Sequence, residues 1–307
     1  WWQKMLYLYQ NESMKYTPWS AYGFNPYYGG CDRLAQHLLS FSTICSYDVK
    51  LWDKVLPNLD SVYQFRNKML GVDQDEPLVR WVVDNTIHSK VVCPDGLLIE
   101  FPAGNRSGSA NTTNDNIMAH SEIACTSLYE CDLDPRLCSP NLFGDDNIMG
   151  LPSVPHNFEE LYRGGFKTFG LSLEPFVLSP RLEDHTFLGF TFKKVSGGWI
   201  PVYDEGRLVS SLIYSIHKKS SEATVVSKAW TLTVMLSAGD EEVFEYASSY
   251  CSSLLYGLRS STDPVVQSYV KNGVPTRKDC IDFFLGRESS VEASLFVGLR
   301  GLGMEQK

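Results

Sequence analysis

The sequence predicts an α+β fold in which short antiparallel strands are backed by helices. Three observations predict it. Leu142-Phe143 and Ile148-Met149 are short apolar runs around Gly144-Asp145-Asp146-Asn147, the pattern of a tight hairpin with acids at its tip. Phe187–Phe192 and Trp199–Tyr203 are strand-like and joined by a Gly197-Gly198 turn. From about Val209 onward the pattern becomes mainly helical, which marks a separate subdomain.

The remaining elements follow in chain order. Residues 1–42 are rich in aromatics and turn formers, with a helix expected from Asp32 to about Phe41. Thr43–Tyr47 reads as a strand ending at Asp48. Residues 60–90 read as helical, with Pro77 an internal start or break. Val91–Phe101 forms a hairpin around Pro94-Asp95-Gly96. A Gly- and Ser-rich loop, Gly104–Ser109, runs into a helix from about Thr112 to Leu128, where Ile117, Ile123, Ala124 and Leu128 fall near helical spacing. Phe158–Phe169 is an amphipathic helix stopped by Gly170, with a strand near Leu171-Leu173.

Bulk properties narrow the function classes. A chain of 307 residues, 43% hydrophobic and 21% charged, is that of a soluble globular protein with one large core or a few subdomains. No apolar run approaches the roughly 20 residues that span a bilayer, and no basic segment followed by an apolar one marks a leader. The opening Trp1-Trp2 fits a piece of something longer. The eight cysteines include no Cys-x-x-Cys pair, and Cys125, Cys131 and Cys138 are too widely spaced for a common zinc site. Free thiols packed as small hydrophobes are expected. A net charge of −9 argues against an unassisted nucleic-acid binder, because neutralising phosphates needs clustered Lys and Arg.

The chemistry-bearing residues are carboxylates. Adjacent ionised acids such as Asp145 and Asp146 repel unless a cation sits between them. Mg²⁺ prefers carboxylate oxygen and completes its shell with water and phosphate, so the pair points to phosphoryl-transfer chemistry; an exposed turn is the other reading. Asp48, at a strand end, would bring a second acid to the same ion pair, or else it caps the surface. A third element is Gly104-Asn105-Arg106-Ser107-Gly108-Ser109-Ala110-Asn111-Thr112-Thr113-Asn114-Asp115-Asn116. Ser107-Gly108 offers free N–H groups at a helix start. Thr112 and Asn116, four apart, share one helical face; the alternative is a serine-capped helix with a polar first turn.

In this order the three elements resemble the palm of viral RNA-dependent RNA polymerases. Asp48 and Asp53 match Asp-x4-Asp (motif A), Ser107, Gly108, Thr112 and Asn116 match Ser-Gly-x3-Thr-x3-Asn (motif B), and Gly144, Asp145 and Asp146 match Gly-Asp-Asp (motif C). The motif B and C segments look most like polymerases of astrovirus-like positive-strand RNA viruses. The resemblance implies a right-hand architecture: fingers in 1–42, palm in 43–66, a fingers/palm insertion in 67–103, palm again in 104–204, and a helical thumb in 205–307. It implies that Asp48 and Asp145 hold two Mg²⁺ ions (or Mn²⁺) with Asp146 assisting. Asp53 and Asn116, supported by Ser107 and Thr112, would read the ribose 2′-OH, while the Ser107-Gly108 loop flexes with translocation. Phe187–Phe192 would be motif E, a primer grip.

The implied partners are an RNA template and product strand, ribonucleoside triphosphates and other viral replication proteins, in host cytoplasm at membrane-associated complexes. Two departures stand out. No lysine follows Glu174-Pro175 before Lys193 to serve as the motif D proton donor, Arg181 being a poor one. The basic motif F, which would also answer the charge objection, is expected before Trp1. A non-catalytic RNA-binding scaffold and a two-metal phosphohydrolase are the competing functions; the latter needs further ligands near the hairpin, where His156 is the nearby histidine in sequence.

Overall fold

The computed structural model describes residues 2–57, 59–88, 90–100, 103–105, 109–214 and 221–292. Two compact units are present. One is built from the chain up to Phe24 and from His37 to Leu188, the other from Asn25 to Gln36 and from Gly189 onward. The fold class is α+β, as expected.

In the first unit, α1 (Trp2–Ser13) opens the chain. It falls where turns and aromatics were expected; Tyr7 and Asn11, four apart, are its buried positions, a stripe too polar to announce a core helix. Helix α2 (Gly30–Leu38) begins in the second unit's segment and leads to β1 (Thr43–Val49). A single helical turn, α3 (Trp52–Val55), follows; it too was not anticipated. The expected 60–90 helix is two, α4 (Leu59–Leu70) and α5 (Pro77–Ile87), and Pro77 sits at the start of the second, where its missing N–H costs nothing. Strands β2 (Lys90–Val92) and β3 (Leu98–Glu100) form the anticipated hairpin.

Helix α6 (Thr112–Glu130) is the longest of the described helices and buries Asn116, Ile117, Ala119, His120, Ile123, Ala124, Ser127 and Leu128. Strands β4 (Ser139–Phe143) and β5 (Asp146–Leu151) close the Gly-Asp-Asp hairpin. Helix α7 (Phe158–Thr168) buries Phe158, Tyr162 and Phe166 at i, i+4, i+8. Strand β6 (Leu173–Ser179) begins two residues later than expected and runs further.

These strands form one antiparallel sheet in the order β4-β5-β1-β6. β1 is central, which explains why Ile44, Cys45, Ser46, Tyr47 and Val49 are all buried. One face packs on α6 and α7 through Cys45, Tyr47, Val49, Met149, Leu151, Ala119, Ile123, Phe158, Tyr162 and Phe166. Each large side chain so buried contributes about 1.5–3 kcal/mol. The close α6–α7 approach needs Gly165: a Cβ there would sit 2.5 Å from Ser127 Oγ. Edge strand β6 bulges opposite Asp48, the register slipping between Tyr47↔Phe176 and Val49↔Leu173. Pro175, which has no N–H to give the ladder, lies in that bulge.

The expected strand Phe187–Phe192 is broken. β7 (Thr186–Phe187) stops at Leu188 and Gly189, with φ of +50° and +74°. In the second unit β8 (Phe190–Val195) pairs with β9 (Gly198–Tyr203). Helices α8 (Glu205–Ile213), α9 (Glu222–Leu236), α10 (Glu241–Gly257), α11 (Pro264–Asn272) and α12 (Arg277–Phe284) follow. Their starts are capped by Asp204, Ser221, Asp240, Asp263 and Thr276, each accepting from the first turn. Trp230, Val266, Tyr269, Phe283 and Phe284 centre this unit's core. All eight cysteines are free and six are buried, in line with the sequence reading. Among the described residues no helix is long and apolar enough to cross a membrane.

Candidate active site

The acids converge through strand register. β1 and β5 pair Thr43↔Leu151, Ile44↔Gly150 and Cys45↔Met149. Continued along the strands, that register sets Tyr47 level with Asn147 and Asp48 level with Asp146. Asn147 Nδ2 fixes it there by donating to the Tyr47 carbonyl at 2.6 Å. Because side chains alternate, Tyr47 and Met149 turn into the core and leave Asp48 and Asp146 on the opposite face. Asp145 occupies the two-residue loop between Phe143 and Asp146, and Gly144 ahead of it has φ +69°, as a II′ hairpin requires at that position.

Asp48 and Asp146 are shifted by burial and by their acidic neighbours. Burial raises Asp48 above the usual range, and Asp145 raises it further, while the Val49 N–H pulls it partly back. Asp146 is pushed up to about 6, first by burial; the Leu188 and Asn147 N–H groups lower it, and Asp145 and Asp48 raise it. The Leu188 N–H donates to Asp146 Oδ2 at 2.6 Å. Leu188 reaches that contact from a left-handed backbone position that is costly for a non-glycine residue, of the kind that gathers at functional sites.

Among the described residues no basic side chain contributes to either shift. The donor set is all carboxylate oxygen, the chemistry a hard divalent cation takes, and its mutual repulsion is what such an ion would relieve. Among the described residues no group of three or more His, Cys, Asp or Glu side chains is placed so that it could hold a metal ion.

Beneath the hairpin lies a dry aromatic support. His120 Nδ1 is 3.1 Å from the Gly144 carbonyl and Nε2 is 2.9 Å from Tyr47 Oη, which is 2.9 Å from Tyr162 Oη. Bonding a carbonyl requires a proton on Nδ1, so Nε2 accepts from Tyr47 and Tyr47 accepts from Tyr162. Burial lowers the His120 pKa to about 4, which keeps the ring neutral. Trp52 packs against the same ring, 5.0 Å between centroids.

The motif A and motif B segments are joined by backbone contact. Asp53 is exposed in the first turn of α3. Gly104 lies directly against that turn: its N–H donates to the Leu56 carbonyl at 2.9 Å, its φ is +90°, and a Cβ would meet the Asp53 carbonyl oxygen at 2.4 Å. Only glycine fits there. Asn105 next to it donates through Nδ2 to Asn116 Oδ1 at 2.9 Å and to the Thr112 carbonyl at 3.2 Å. Thr112 Oγ1 donates to the Ser109 carbonyl at 3.0 Å. Ser107 and Gly108 lie outside the described residues.

Comparison with known proteins now bears on this arrangement. The model of viral RNA-dependent RNA polymerases matches residues 1–255. The chain belongs to that family. Among its relatives is the non-structural polyprotein 1AB of Ovine astrovirus 1, 27% identical over 228 residues, covering 66% of this chain and 17% of that protein. The genome polyprotein of Bean yellow mosaic virus is 23% identical over 228 residues, covering 71% of this chain and 8% of that protein. The 1AB polyprotein of Human astrovirus-5 is 28% identical over 204 residues, 60% of this chain and 14% of that protein. The chain thus spans less than a fifth of the length of these relatives. The expected likeness to astrovirus-like polymerases is among the matches, beside plant-virus polyproteins.

Sequence reasoning missed two groups in this polymerase-family site. His120 was legible in principle, since Thr112, Asn116 and His120 continue one α6 face at steps of four. Arg66 was not: a lone arginine on a polar helix carries no mark of burial, yet it is fully buried beside Asp115.

Proposed function

We propose that this chain carries the catalytic centre of template-directed RNA synthesis from ribonucleoside triphosphates. The observation that carries the reading is that strand register brings Asp48 and Asp146 to one sheet face beside the Asp145 turn, where Asp145 raises both and Asp48 raises Asp146. Asp48 and Asp145 would hold two Mg²⁺ ions, or Mn²⁺ in their place, with Asp146 assisting from its Leu188-anchored position. When bound, the ions would neutralise phosphate charge and ease ionisation of the attacking 3′-hydroxyl. The residues of the chain orient and select. Asp53 and Asn116 would read the ribose 2′-OH, which distinguishes ribonucleotides, and Ser107, Gly108 and Thr112 would line that pocket.

In this reading the palm comprises 43–66 and 104–204, with a fingers segment in 1–42, a fingers/palm insertion in 67–103 and a thumb in 205–307. Its partners are an RNA template and product and other viral replication proteins, in host cytoplasm at membrane-associated complexes. A phosphohydrolase would need another ligand at the hairpin; His120, which lies against it, has both ring nitrogens committed to Gly144 and Tyr47. The test is Asp145→Ala in the whole protein that carries this chain. Mg²⁺-dependent RNA synthesis and Mn²⁺ binding should both be lost; synthesis that survives the change would refute the assignment.

A further inference from the structure

We propose that Arg66 and Asp115 are positioning residues for ribose selection: their buried fork sets the rotation and height of α6 so that Asn116 faces the sugar. The proposal rests on the polymerase reading and deepens it. Both side chains are completely buried, and Arg66 Nη1 donates to Asp115 Oδ1 at 2.5 Å. Arg66 Nη2 donates to Asn11 Oδ1 at 2.5 Å, and Asn11 Nδ2 donates to Asn111 Oδ1 at 2.9 Å. Tyr63 Oη donates to Asp115 Oδ2 at 2.9 Å. The Arg66 guanidinium also lies over the Tyr7 ring, 4.6 Å from its centroid. Helices α1, α4 and α6 are therefore locked by one planar cation whose directions are fixed.

Stability alone does not explain the pair. Exchanging a buried ion pair for well-packed apolar groups is often neutral or stabilising. What the pair adds is direction, because the two Nη donors of one planar guanidinium point at fixed angles, one to Asp115 and one to Asn11. Asp115 immediately precedes Asn116 and follows Thr112 by three. A slip of α6 by one residue would turn Asn116 by about 100° and shift it about 1.5 Å. From the other side Asn105 holds the Asn116 side chain at 2.9 Å. Asn116 is thus fixed through its backbone by Asp115 and through its amide by Asn105. Gln10 Nε2 secures Arg66 in turn, donating to its carbonyl at 2.9 Å.

The experiment compares kcat/KM for a ribonucleoside triphosphate and its 2′-deoxy analogue in the whole protein. Their ratio is insensitive to the fraction of enzyme folded, so a merely structural role would not move it. Arg66→Lys keeps the charge and loses the fork; the pair Arg66→Met with Asp115→Leu removes both charges. Each should lower the ribose preference at least about tenfold, through a raised KM for the ribonucleotide. An unchanged ratio in either folded variant overturns the proposal. Hydrogen exchange of the 113–117 amides, faster in Arg66→Lys, reads the clamp without catalysis; unchanged exchange also overturns it. A wild type that makes no RNA, although exchange quickens in Arg66→Lys, would refute the polymerase reading instead, and the ribose role with it.

Discussion

The first unit holds carboxylates in two ways. Asp115 is wholly buried, and burial raises its pKa, but Arg66 and Tyr63 pull it back. Asp48 and Asp146 are raised first by burial as well, and there the neighbouring charges are further carboxylates. The first pairs its charge within the protein, although Arg66 Nε finds no partner; among the described residues no basic side chain shifts the second. A compensated buried charge fixes geometry, and an uncompensated cluster at a turn is a place for a ligand. In the proposed reading the first orients α6 and the second, on β1 and β5, receives the reaction.

The largest expected effect falls on the uncompensated cluster. Asp145→Ala should reduce RNA synthesis on the order of 10³-fold, while urea unfolding in cation-free buffer shows no loss of stability. Asp115→Ala should do the reverse in kind. Leaving Arg66 buried and unpaired should cost about 3–5 kcal/mol in the same unfolding measurement. If Asp115→Ala is tolerated and Asp145→Ala unfolds the chain, the contrast between the two sites is wrong.

How much of this was legible in the sequence follows from the range of the forces involved. The Gly144-Asp145-Asp146 hairpin, the Pro77 helix start and the Thr112 helix rest on local backbone preferences, and each was readable. The convergence of Asp48 with Asp146 depends on strand pairing, which spacing alone does not encode; the family motifs supplied it. Helix α1 was missed because its buried face, Tyr7 and Asn11, is polar and is stabilised by long-range hydrogen bonds to Asn67 and Asn111. The break at Leu188 was missed for a related reason: its payoff is a hydrogen bond to an acid 42 positions earlier.

Acid titration sharpens the comparison at a smaller scale. Asp146 is raised to about 6, so the folded chain binds its proton more tightly than the unfolded chain, whose carboxyl titrates near 3.8. Stability from this group therefore grows as pH falls from 7 to about 4 and is lost as pH rises through that window. In cation-free buffer, wild type should gain about 2 kcal/mol relative to Asp146→Asn between those limits, allowing for partial screening. Saturating Mg²⁺ should flatten the difference, because a bound cation keeps the carboxylate ionised. A difference curve of opposite slope would show that Asp146 is held below the usual carboxylate range, and so is offset within the protein.

The smallest effect concerns the support beneath the hairpin. Tyr47→Phe removes the hydroxyl between Tyr162 and His120 and leaves the His120 Nε2 acceptor without its donor. The cavity is only one oxygen wide, so the loss should be about 1–2 kcal/mol, the cost of a buried group left unpaired. Nitrogen NMR of the ring gives the more telling reading. With Tyr47 in place, Nε2 should remain an unprotonated acceptor down to about pH 4, where burial has moved the imidazole. Without it, the ring is freed to exchange tautomers and to release the Gly144 carbonyl, so the hairpin amides should exchange faster although Asp48 and Asp145 are untouched. If those amides do not respond, His120 merely fills space under the turn and the acids are held by the strands alone.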